Sequence, residues 1–328
     1  MRRLLIRKAL MRHLLDNLFV SAVATVLLIR AFLFFTGWPV IGGETLHIAH
    51  MLWGGFFMLA SIVLLLAFLG RRVQYLSAIL GGIGFGFFID ELGKFITKDN
   101  DYFFQPTFMI MYLIFIGLYF LIRELGKPVD LNEVERLVNA LDLSQEAVMK
   151  HVDENEHRQL LALLEVPSRH ESLFAQLRLI IQETTIIEEG AWSKIKLHIK
   201  QVYFDFVQSK YFIPIIVGLW LVQGGLLTYS FHEFLISKNS TFAEQAVVTL
   251  GIGFAMIAGL YVLRGIFELS ASRTVAFQKF YRGNLIAVLL MQPFALYVAT
   301  FVPILTLGIN LLALFGLQYL LSLEKRSQ

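Results

Sequence analysis

The chain has 328 residues, of which 57% are hydrophobic and 16% charged, with a mean hydropathy of +0.66. Soluble domains carry about 25% charge, so this composition excludes a soluble globular protein, a nucleic-acid binder and a disordered scaffold. The absence of cysteine removes disulfides, Cys-ligated zinc, iron–sulfur clusters and thiol catalysis.

The 30 Phe, 4 Trp and 24 Gly suit closely packed helices in lipid. The net charge of +3 hides a division. Residues 124–210 hold fifteen acids and ten bases, whereas the rest of the chain holds ten acids and eighteen bases. A mildly acidic insert therefore interrupts a basic, apolar chain. The predicted organisation is all-α: a membrane domain over 1–123, a small helical cytoplasmic insert over 124–210, and a second membrane domain over 211–328.

A membrane helix needs about 20 mostly apolar residues. Four stretches qualify before the insert (18–38, 46–69, 75–97, 106–122) and four after it (211–236, 243–263, 285–301, 303–321). The last two are short and separated only by Val302 and Pro303. With eight spans every basic loop falls on one side. Arg2, Arg3, Arg7, Lys8 and Arg12 precede the first span, and Arg71 and Arg72 join the second to the third. Arg264, Arg273, Lys279 and Arg282 lie between the sixth and seventh, and Lys325 and Arg326 follow the eighth. The positive-inside rule then puts both termini and the insert in the cytoplasm. The small residues Ala22 and Ala24 precede the first apolar run rather than follow it, so this span is expected to be retained, not cleaved. An Arg-rich organelle presequence is the alternative reading of this end.

Span three carries Gly82, Gly86, Asp90 and Lys94, each four residues apart and hence on one helix stripe. The glycines predict close approach of a neighbouring backbone, and the charges continue their stripe into the bundle. An i,i+4 bridge from Asp90 to Lys94 is the structural expectation. The Gly-x-Gly spacing is no phosphate loop, because it lies within an apolar span with no preceding strand. In span two His47, His50, Gly54 and Ser61 share a face. At a rise of about 1.5 Å per residue, His50 falls about 6 Å and Asp90 about 10 Å from the outer helix ends. Arg30 in span one, and His232 and Glu233 in span five, also fall in the outer half, and Arg30 needs an acid such as Asp90 or Glu91. Glu44, Asp99 and Asp101 read as solvated loop acids; Trp38, Tyr102, Phe103 and Phe104 read as an aromatic belt.

The insert reads as short helices with N-caps at Asp130, Asp153 and Ser168 and a small core around Leu160, Leu161, Leu163 and Leu164. Trp192, Ile195, Ile199, Val202 and Phe206 then recur at helical spacing opposite Lys194, Lys196 and Lys200. That pattern is a basic amphipathic helix leading into span five, suited to the inner membrane surface.

The pattern His47-x-x-His50-x-x-Trp53-Gly54-Gly55, followed by Gly84-Phe85-Gly86-x-Phe88-Ile89-Asp90-Glu91-x-Gly93-Lys94-Phe95-Ile96-Thr97, resembles uncharacterised bacterial multi-pass membrane proteins. The resemblance covers spans two and three, implies a bacterial inner (plasma) membrane setting and brings no activity with it.

Three functions compete. Transport of an ion or small solute rests on the polar cluster Arg30, His47, His50, Asp90, Glu91, Lys94, His232 and Glu233. A metal-dependent enzyme acting on a lipid-like substrate would draw on His47, His50, Asp90, Glu91 and His232 to hold a divalent metal such as zinc. A non-catalytic scaffold or sensor would use the insert to engage a soluble partner. The expected partners are the lipid bilayer, a soluble protein for the insert and further copies of the chain, with no nucleic acid.

Overall fold

The computed structural model describes residues 6–8, 11–36, 50–99, 101–102, 104, 106–127, 131–148, 154–164, 171–182, 191–236, 241–299 and 301–327. Among them there are helices and no strand. In chain order these are α1 (Met11–Thr36), α2 (His50–Ala67), α3 (Arg71–Asp90), α4 (Leu92–Ile96), α5 (Pro106–Leu125), α6 (Glu133–Val148), α7 (Glu154–Leu164) and α8 (Glu171–Gln182). They continue with α9 (Ala191–Gln208), α10 (Phe212–Ile236), α11 (Phe242–Glu268), α12 (Arg273–Ile286), α13 (Gln292–Val298) and α14 (Phe301–Ser327), with a π-turn over Ala287–Met291 between α12 and α13. Seven of the described helices are long and apolar enough to cross a membrane: α1, α2, α3, α5, α10, α11 and α14.

The chain divides into two compact units. Met1–Tyr102 groups with Gly117–Lys194, and Phe103–Ile116 groups with Ile195–Gln328. The insert up to Lys194 thus belongs with the first spans, and most of α9 with the last ones.

In the first unit α3 lies between α1 and α2, and glycine decides how closely. A Cβ at Gly86 would sit 2.6 Å from the Ala22 carbonyl oxygen of α1, and one at Gly82 would strike Leu18 and Ser21. On the α2 side, Gly84 and Gly54 face each other. A Cβ at either would meet the other's carbonyl oxygen, at 2.6 and 2.7 Å. These are backbone contacts and cannot give way. The order of the contacts makes α3 parallel to α1 and antiparallel to α2. At the other end of α2, Ser61 donates to the Ser77 carbonyl at 2.7 Å. The turn into α3 uses Gly70 at φ 103°, a conformation that favours glycine.

The insert packs α6, α7 and α8 around Ala140, Leu143, Leu164, Leu177 and Ile181, with Leu161 and Leu163 against them. The cap of α6 differs from expectation. Asn132 and Glu135 exchange hydrogen bonds at 2.9 and 3.0 Å, so the helix starts two residues later than a cap at Asp130 requires. Asp130, Asp153 and Ser168 lie outside the described residues.

In the second unit the stretch predicted as span seven, 285–301, is covered by the end of α12, the π-turn and α13. This run, with Arg273, Lys279 and Arg282 at its start, is not among the seven apolar helices. The π-turn breaks it into helices of 14 and 7 residues, each shorter than a membrane span. Ala276, Phe277, Phe280, Asn284, Met291, Gln292 and Ala295 are all buried within the unit, so protein rather than lipid surrounds them. It runs antiparallel to α11: Phe280 lies over Gly265, Gly283 against Ala258, and Phe294 against Gly251. The π-turn leaves a carbonyl for an outside donor, and Tyr112 of α5 donates to the Val288 oxygen at 2.5 Å. Against α14, Asn284 donates to the Asn310 carbonyl at 2.8 Å, and Gln292 donates to the Pro303 carbonyl.

Helix α9 turns one face to α14. Tyr203 donates to the Leu312 carbonyl at 2.6 Å and the Phe204 ring lies 4.1 Å from that of Tyr319. Ile195, Ile199, Val202 and Phe206 are exposed. The side chains of Trp192, Lys194 and Lys196 lie outside the description.

Candidate functional site

Where α3 leaves the glycine-lined part of its path, the helix breaks. Glu91 has φ −89° and ψ 8°, in the sparsely populated bridge region, and separates α3 from the five-residue α4. Asp90 and Glu91 are consecutive, yet the break sends their side chains to different neighbours. Both residues are 0% exposed. Two buried carboxylates side by side repel, and each needs its own cation and donors.

Asp90 is held from α1. The Arg30 Nε lies 2.6 Å from Asp90 Oδ1, and the second guanidinium nitrogen donates to the Asp90 carbonyl at 3.0 Å. The other carboxylate oxygen, Oδ2, accepts from the Tyr102 hydroxyl at 2.5 Å. The Tyr102 ring also carries the guanidinium, 4.3 Å from its centroid. Burial, and then the Asp90 charge, push the phenol pKa well above its ordinary value, with Arg30 opposing. Tyr102 therefore stays a hydrogen-bond donor throughout the physiological range.

Glu91 is held from α2 and α4. Its Oε1 accepts from His50 Nδ1 and from Lys94 Nζ, each at 2.9 Å, and Oε2 accepts from the Met51 backbone N–H at 3.3 Å. Donation to a carboxylate requires the proton on His50 Nδ1, which leaves Nε2 directed away from Glu91. The His50 ring stacks on Tyr102 at a centroid distance of 6.5 Å, and Lys94 Nζ lies 5.3 Å from the same ring. Tyr102 is thus common to both halves. The Arg30 side chain is 9% exposed, whereas those of His50 and Lys94 are 22% and 20% exposed. The cation on Asp90 is sealed; the basic partners of Glu91 reach the surface.

Arg30, His50, Asp90, Glu91 and Lys94 therefore come together. The expected i,i+4 bridge is corrected: Lys94 reaches Glu91, three residues back, because the break at Glu91 interrupts the helical register that would align it with Asp90. His47 lies outside the described residues. His232 and Glu233 belong to the second unit, where both are exposed. Among the described residues no three His, Asp or Glu side chains group in a way that could hold a metal ion. Tyr102, expected in the aromatic belt, bonds Asp90 and carries the Arg30 guanidinium on its ring. It follows a turn and shares no helical period with Asp90, so spacing carried no signal for it.

No family model, no curated protein and no solved structure matches this chain.

Proposed function

We propose that the protein transports an ion or small solute, with Glu91, His50 and Lys94 as the exchanging group and Arg30, Asp90 and Tyr102 as its fixed support. The observation that carries this reading is the contrast between the two acids. Both are fully buried, yet the cation paired with Asp90 is 9% exposed, whereas the His50 and Lys94 side chains on Glu91 are about a fifth exposed. Arg30 and Lys94 balance Asp90 and Glu91, and an imidazole hydrogen-bonded to one of these acids places proton-bearing groups side by side. Such a site suits proton-linked movement of a charged solute. The glycine-lined faces of α3 supply smooth surfaces along which its neighbours can shift.

The same reading sets the chain in a bacterial inner membrane with eight crossings. Supporting the eighth, the run from α12 to α13 lies alongside the whole length of α11. The termini and insert then share the cytoplasmic side with the basic loops. The exposed stripe of α9 suits the inner membrane surface.

Purified protein in liposomes with an internal pH indicator tests the function. An imposed cation or anion gradient should drive proton movement, and Glu91→Gln should reduce it at least tenfold without altering insertion. If neither proton nor ion flux exceeds that of empty liposomes, transport is wrong.

A further inference from the structure

The second unit holds a cavity of about 590 Å³ between α10 and α11, floored by α12 and the π-turn. Its volume is in the range of small-molecule sites, about 300–1,000 Å³. Trp220 and Leu235 mark its extent along α10. At 1.5 Å per residue this is about 22 Å, the length of one extended hydrocarbon chain rather than of a compact solute. The lining includes no Asp, Glu, Lys or Arg, and its polar side chains are Gln223, Thr228, His232 and Asn284 besides the Trp220 indole.

Two of those groups stand out. Gln223 is 6% exposed, near the middle of α10, and lines the cavity with an uncharged amide. Asn284 is 1% exposed; its nitrogen is used on the Asn310 carbonyl, and its Oδ1 has no partner. By contrast Thr228 is satisfied by the Gly224 carbonyl at 2.7 Å and Trp220 by Asn310 at 3.0 Å. An unpaired amide surrounded by hydrocarbon is costly, and lipid tails cannot relieve it. A wall with an amide that can both donate and accept, and no charge, selects for a neutral polar group on an apolar molecule.

We propose that this cavity binds a neutral lipid: a long hydrocarbon chain bearing an uncharged hydroxyl, which accepts from the Gln223 amide nitrogen or donates to its oxygen. A fatty-acid anion or a phosphate headgroup is disfavoured, because the described lining residues include no Lys or Arg to compensate it. The site lies in the second unit and is independent of the Glu91 group.

The test uses the full-length protein in liposomes and three photoactivatable probes of equal chain length: a diazirine-bearing hexadecanol, the corresponding hexadecanoate and the corresponding alkane. Hexadecanol should label α10 and α11 at least fivefold more than either other probe, and unlabelled hexadecanol should compete. Gln223→Leu should abolish the preference for hexadecanol over the alkane. A Cβ at Gly259 or Gly224 meets nothing within 4 Å, so both positions open onto free space and can carry a filling side chain. Gly259→Phe should reduce hexadecanol labelling at least fivefold with the melting temperature retained, and Gly224→Phe does the same from the opposite wall should the first variant fail to fold. Equal labelling by the alkane, or an unchanged preference in Gln223→Leu, reduces the cavity to ordinary lipid contact and overturns the proposal. Preference for hexadecanoate overturns the ligand class. Undiminished labelling in folded filled variants places the binding elsewhere and overturns the site.

Discussion

Asp90 and Glu91 occupy neighbouring positions and carry the same charge, but their partners give them different consequences. Arg30 enters from α1, buries almost completely and spends two nitrogens on Asp90. Asp90→Asn takes the counter-charge from that guanidinium, and breaking a buried pair from one side costs about 3–5 kcal/mol. A clear fall in the detergent melting temperature is expected. Glu91→Gln instead leaves His50 and Lys94, each with a route to the surface along which the lysine stem can carry its charge. Its melting temperature should fall by less than half as much, while flux is lost. Equal destabilisation by the two variants would make both pairs structural braces and remove the distinction on which the functional reading rests. That Arg30 needs an acid was legible because a deep arginine demands one; which of Asp90 and Glu91 it takes, and the partner of Lys94, were not, because the helix break that redirects these side chains depends on backbone angles.

At the scale of helices, α3 is set by residues with no side chain. Its two glycine faces admit α1 and α2 at backbone contact, and that approach brings Arg30 and His50 within reach of the acids beyond. A Cβ at Gly84 would lie 2.6 Å from the Gly54 oxygen and 2.8 Å from the Met58 backbone nitrogen. Gly84→Leu should therefore push α2 away, cost about 1–3 kcal/mol as overpacking and weaken the His50–Glu91 bond together with flux. Gly55, on the same helix with nothing within 4 Å, is the control: Gly55→Leu should leave both melting temperature and flux unchanged. A Gly84→Leu protein as stable and as active as the parent would refute the role given to this contact. The stripe was readable from the four-residue spacing of Gly82 and Gly86; that Gly84 serves a second face became visible only with α2 in place.

For the molecule as a whole, the question is whether the α12–α13 run crosses the membrane. The parent has no cysteine, so single replacements can be labelled without background. With eight crossings, cysteines at Gly43 and Asn239 should react with an impermeant thiol reagent in intact cells, and cysteines at Asn155 and Ser327 should not. Labelling at Ser327 alone of the last pair would mean that the run does not cross and that the C-terminus lies outside; labelling at Asn155 would invert the orientation.

Local sequence determined that this is a helical, lipid-associated chain with a polar stretch between its apolar runs, because apolar length and charge density are properties of local sequence that no packing can hide. It also singled out Arg30, His47, His50, Asp90, Glu91, Lys94, His232 and Glu233, since ionisable groups inside apolar runs stand out wherever they fall. Only tertiary structure decided which of them meet, that Tyr102 joins both halves, and that a π-turn divides the apolar stretch 285–301. Those outcomes depend on helix register, on one broken turn at Glu91 and on neighbours distant in sequence, none of which a spacing of residues along a single helix encodes.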